Sequence, residues 1–134
     1  FGPHPHQFID NGDGTITFTS DEFNVPRTFH LNSTVDPADM PLSPLGYSVA
    51  RWENERTLVV ETSRVNFPYM NLSGAGQSEQ VRIVERYVLG ENEDRIDYMI
   101  AITDPVMLTD PYIQTGTWID LNEAMGTYDC VVID

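Results

Sequence analysis

The feature that most constrains this chain is its punctuation. Short runs rich in β-branched and aromatic residues recur along it, separated by Gly, Pro, Asn and Asp. No stretch sustains the i, i+3, i+4, i+7 apolar spacing of an amphipathic helix. The runs that read as strands are Gln7 to Asp10, Thr15 to Thr19, Arg27 to Leu31, Leu45 to Glu53 and Thr57 to Ser63. Glu79 to Leu89, Arg95 to Thr103, Ile113 to Leu121 and Tyr128 to Ile133 follow. Short strands at this spacing favour an antiparallel meander. The expectation is one all-β domain over residues 1–134, an antiparallel β-barrel or flattened barrel, lipocalin-like in general architecture. A β-sandwich is the alternative.

The turns support this reading. Asn11-Gly12-Asp13-Gly14 lies between two strand-like runs, and Asn and Gly supply the positive φ of a tight hairpin. The same segment resembles an EF-hand loop. Aligned on Asn11, Asp13 and Gly14, however, that loop would begin on Ile9 and end on Ser20, where carboxylates are needed. A hairpin is therefore the reading, with no metal site. Two longer connections, Asn32 to Pro44 and Val65 to Ser78, are where function would sit on a barrel mouth.

Charge narrows the partners. There are 21 acidic residues against 7 basic ones, all arginine, and the formal net charge is −14. Neutralising phosphates needs a basic face, so nucleic acid and anionic membranes are poor partners. No apolar run is long enough for a membrane-spanning helix. The chain opens on Phe1 without a charged and apolar leader, as expected of a mature or trimmed product. The single cysteine, Cys130, has no partner in the chain for a disulfide and reads as a buried, inert thiol. His4 and His6 read as a solvated terminus. No nucleophile elbow, phosphate loop or dinucleotide fingerprint is present, and no cofactor is expected.

Alternation assigns faces. Val81, Ile83, Glu85, Tyr87 and Leu89 share one face, as do Ile96, Tyr98, Ile100 and Ile102. Ile113, Thr115, Thr117, Ile119 and Leu121 form a third set. These mostly apolar sets are expected to point inward. Glu85 then falls among apolar side chains, where a carboxylate needs a partner or a raised pKa. An arginine on a neighbouring strand, such as Arg51, is the expected structural partner.

The stretch Leu45 to Glu53, followed by Thr57-Leu58-Val59-Val60-Glu61-Thr62, resembles a family of uncharacterised, usually exported bacterial proteins. The pattern is a Gly-x-Ser start, a Trp-Glu turn and a Thr-Leu-Val-Val strand. Val84-Glu85-Arg86-Tyr87, Thr103-Asp104-Pro105 with Pro111-Tyr112, and Tyr128-Asp129-Cys130 are similar to further pieces of it. The resemblance covers most of the chain from Arg27 onward and departs at Tyr47, where the pattern has His. It implies the fold, a periplasmic or extracellular setting, and correspondence to the C-terminal portion of a longer protein. It implies no chemistry.

Three functions are compatible with these residues. The leading one is a module that holds a small, partly apolar ligand inside the barrel, in a pocket lined by Trp52, Tyr87, Tyr98, Ile100 or Trp118. The second is a small hydrolase, lyase or isomerase. It would use Glu85 with His30 or Tyr98, with Glu61 and Asp104 as further acid–base candidates. The third is an interaction domain with a filled core that works through its long loops or an exposed sheet edge.

Overall fold

The computed structural model describes residues 4–21, 25–71 and 73–125. The chain forms β1 (His6–Asp10), β2 (Thr15–Ser20), β3 (Arg27–Leu31), β4 (Tyr47–Asn54), β5 (Thr57–Ser63), β6 (Arg82–Leu89), β7 (Arg95–Thr103) and β8 (Tyr112–Ile119). Among the described residues one 3-10 turn, Pro37–Asp39, lies in the β3–β4 connection. All eight strands belong to one sheet, ordered β1 to β8 as in the chain and curled into a half-barrel. The molecule is therefore all-β and matches a flattened barrel. Leu45 and Glu79 lie just outside β4 and β6. The expected strand at Tyr128 to Ile133, with Cys130, lies outside the described residues.

One pairing departs from the meander. β3 and β4 run parallel, with Phe29 opposite Ser48, His30 opposite Val49 and Leu31 opposite Ala50. A parallel pair cannot be joined by a hairpin and needs a long return. Residues 32–46 provide it. The connection also covers Tyr47, whose hydroxyl lies 2.8 Å from Ser33 Oγ. The return ends at Gly46, which has φ 69°. An added Cβ there would run into the Ser63 carbonyl and the Val65 side chain, so the approach of the two segments requires glycine.

The first hairpin is built by its own side chains. Asp10 accepts the Gly12 N–H at 2.9 Å, and Asp13 accepts the Thr15 N–H at 3.0 Å. Gly12 and Gly14 have φ of 72° and 87°. The Asp and Asn groups that resembled a calcium loop thus serve a turn between β1 and β2.

The concave face carries the main core: Ile16, Phe18, Phe29, Ala50, Leu58, Val60 and Tyr87, with Phe8, Leu31, Ile96, Tyr98 and Trp118 packed against it. A smaller cluster of Val65, Val81, Ile100 and Ile102 fills one end. The curl brings the two edge strands near each other. His6 and Phe8 of β1 place their rings 4.4 and 6.3 Å from that of Trp118 on β8.

β8 is turned the opposite way from the expectation. Ile113 and Ile119 point outward, 61% and 71% exposed, and Leu121 beyond the strand is also exposed. Trp118 and Gly116 face inward. Gly116 pairs with Tyr98, and an added Cβ would overlap the Tyr98 phenol. The Tyr98 ring crosses the space a side chain would take and rests 4.5 Å from Trp118.

Candidate functional site

The interior polar group is an ion pair. Arg27, at the start of β3, donates from both terminal nitrogens to both oxygens of Glu85 on β6, at 2.7 and 2.8 Å. Alternation explains the meeting. Arg27 shares its face with Phe29 and Leu31, and Glu85 shares its face with Tyr87. The expected partner Arg51 cannot serve, because its neighbour Ala50 is the residue on β4 that points into the core. The pair is extended on both sides. Tyr87 Oη donates to Glu85 Oε1 at 3.1 Å, Arg27 reaches Thr62 Oγ1 at 3.3 Å, and the Thr62 and Ser48 hydroxyls are 2.7 Å apart. The guanidinium lies over Phe29 and Phe18, 5.0 and 5.7 Å from the ring centroids.

The electrostatics follow from this packing. Burial opposes the charge on Arg27, but the Glu85 carboxylate more than offsets it and holds the guanidinium charged. Burial, reinforced by Glu85, pushes the Tyr87 phenol well above its ordinary value. Tyr87 is therefore a neutral donor here. Both oxygens of Glu85 are engaged, so this carboxylate has the surroundings of a structural ion. His30 lies on the other face of β3, its ring stacked 4.8 Å from Tyr47. The pairing of Glu85 with His30, one of the two that an acid–base site would use, is not formed.

Asp104 is also structural. It is buried, and it accepts Ser78 N–H at 2.6 Å, Ser78 Oγ–H at 2.7 Å, and the N–H groups of Val106 and Met107 at 3.0 and 3.2 Å. Desolvation raises its pKa, but these four donors prevail and set it below 3.8. A depressed acid contributes stability above its unfolded pKa and loses it as the pH falls through the folded value. The urea midpoint is expected to be level above about pH 5 and to fall below 3.8. Asp104→Asn should flatten that acid limb, measured by denaturation between pH 2 and 6, roughly the range over which carboxylates titrate.

The residues expected to line one pocket are distributed over several places. Trp52, 52% exposed, and Tyr87 border a recess of about 240 Å³ at the β4–β5 end, together with Phe8 and Leu58. Trp118 borders a recess of about 340 Å³ along the β1–β8 seam. Tyr98 packs on Trp118, and Ile100 belongs to the smaller core cluster. Glu61 is exposed on β5.

A larger apolar space lies elsewhere. A cleft of about 970 Å³ opens between the β2–β3 edge and the loop after β5. Phe18 and Arg27 are at its floor, and Leu45, Phe67, Tyr69 and Met70 form its walls. Phe67 and Tyr69 pack edge to face, 6.1 Å apart, yet remain 50% and 54% exposed. No family model matches the chain, and neither a curated protein nor a solved structure matches it. The geometry alone therefore carries the functional argument. Of these wall residues only Leu45 fell in an expected strand, and Phe67, Tyr69 and Met70 did not. The available signal was Phe67-Pro68-Tyr69-Met70, an apolar cluster inside a long connection.

Proposed function

We propose that the protein is a small-molecule-binding module, and that its site is the cleft at the β2–β3 edge. The observation that carries this is the lining. A space of about 970 Å³ is walled mainly by apolar and aromatic side chains, with Thr19, Ser20, Asn71 and the Arg27 guanidinium as its polar groups. Binding sites commonly combine an apolar wall with a few fixed polar groups. The Glu85 carboxylate balances the charge of Arg27, and Glu85 and Thr62 together take three of its five N–H donors. The matching ligand is neutral, with an apolar body and a hydrogen-bond acceptor that reaches Arg27. An anionic ligand would meet a chain of net charge −14 and a cation already paired.

The test uses Nile red, a neutral apolar dye. Its fluorescence is expected to rise and saturate on titration with the protein. The double substitution Phe67→Ser, Tyr69→Ser should weaken that binding by about tenfold or more, since two aromatic contacts supply over 1 kcal/mol. Both side chains are half exposed, so the melting temperature should change little. Unchanged dye affinity in the double variant would place the dye elsewhere and sink this reading.

A further inference from the structure

We infer that the outer edge of β8 pairs with the same edge of a second copy of this chain, joining the two sheets antiparallel about Gly116. The sheet ends on β1 and β8, and among the described residues no ladder joins the two. Both ends therefore present strand edges, and the edges differ in kind.

An unpaired strand edge is a template for another chain, and proteins usually blunt it with short length, charge, proline or a bulge. β1 carries such devices. It has five residues, it ends on Asp10, and Pro5 precedes it. β8 carries none of them. Its eight residues, Tyr-Ile-Gln-Thr-Gly-Thr-Trp-Ile, hold no charge and no proline, and their pairing with β7 runs without a break. In a chain of net charge −14, an uncharged edge is what two identical molecules need in order to approach. A partner selected by charge would find nothing to read on this strand. The convex side chains fit the same role. Ile113 and Ile119 are 61% and 71% exposed, and Thr115 and Thr117 between them are exposed as well. The rings of His6 and Phe8 meet Trp118 on the concave side, and a gap of about 340 Å³ remains along that seam.

The ladder decides which backbone groups are available. Just past β8, Asp120 N–H donates to the Asp94 carbonyl at 2.8 Å, in register with the β7–β8 rows. Backbone groups alternate between the two edges of a strand. Ile113, Thr115, Thr117 and Ile119 thus turn their N–H and C=O groups toward the outer edge. A two-fold axis through Gly116 places Ile113 opposite Ile119 of the second copy, and Thr115 opposite its Thr117. Both are hydrogen-bonded rows, and paired apolar or threonine side chains stabilise such rows. Asp120 then falls opposite Tyr112 rather than opposite another carboxylate. The contact is the same patch on both copies, so it closes at a dimer. A single edge strand buries an area at the low end of specific interfaces, so the dimer should dissociate in the micromolar range.

Sedimentation velocity between about 1 and 500 µM tests this, a range that brackets micromolar dissociation. The sedimentation coefficient is expected to rise with concentration to that of a dimer. Ile113→Lys should weaken self-association by about tenfold or more, because a lysine then faces Ile119 of the other copy in both symmetric rows. Adding Ile119→Glu should restore it, since the new lysine of each copy then faces the new glutamate of the other. Both positions are largely exposed, so folding should be kept, as checked by circular dichroism. A parent that stays monomeric throughout would overturn the proposal. Protection of the Thr115 and Thr117 amides from hydrogen exchange in that monomer would give the edge to another segment of the same chain instead. An Ile113→Lys variant that dimerises as tightly as the parent, or a double variant no tighter than Ile113→Lys alone, would overturn it too.

Discussion

Replacing Arg27 with leucine is expected to destabilise the protein by about 3–5 kcal/mol, the usual range when one partner of a buried ion pair is removed. Glu85 is 3% exposed and sits among Val60, Tyr87 and Ile100, with no other arginine within reach among the described residues. Without Arg27 it must stay charged in an apolar setting or take up a proton, and both lower stability at neutral pH. The partner substitution separates this from lost packing. Arg27→Leu with Glu85→Leu removes both charges and should recover most of the loss, because apolar replacement of an entire buried pair is often near neutral. Urea denaturation of the two single variants and the double variant measures this. A double variant no more stable than Arg27→Leu would show that the pair stabilises through more than mutual compensation.

The fold was largely legible because it depends on local signals. β-branched and aromatic runs with Gly, Asn and Pro between them located the eight described strands to within a few residues. The same alternation placed Glu85 inside. What could not be read were the choices made by tertiary packing. The connection of residues 32–46 is long enough to return the chain in either sense, so the parallel β3–β4 pair leaves no local mark. On β8, the larger number of isoleucines pointed one way, and a single Trp118 seam with Gly116 beneath Tyr98 decided the other. The identity of the Glu85 partner was partly available. Arg27, Phe29 and Leu31 alternate on one face, whereas Arg51 follows the small, core-facing Ala50. The apolar cleft was the least legible part. Its aromatic walls come from a loop, where side-chain direction follows no period, and only the curled sheet brings Phe67 and Tyr69 over Phe18 and Arg27.

Phe29→Ala is expected to cost about 3–5 kcal/mol, as for other fully buried phenylalanines. Phe29 has no exposed surface and stacks on Phe18 at 5.7 Å, with the Arg27 guanidinium over its other neighbourhood at 5.0 Å. It also pairs with Ser48 in the parallel junction, which has only three matched rows, against seven or eight in the β4–β5 and β6–β7 ladders. This junction is the sheet's narrowest seam, and Phe29 is the largest side chain across it. The loss should therefore be local in its first effect. Amides of β1, β2 and β3 should exchange with solvent faster than those of β5, β6 and β7, because the β1–β3 ribbon can detach while the larger part of the sheet stays paired. Uniformly faster exchange across all strands would show that the two parts unfold as one unit. The Phe29 and Arg27 substitutions should also fail to add. Once Phe29 is gone, Arg27 has lost one of the two rings beneath it, and removing its charge then costs less by roughly 1 kcal/mol, the scale of a cation–π contact. Strict additivity in that double-mutant cycle would mean that the aromatic floor supports Arg27 only by shape.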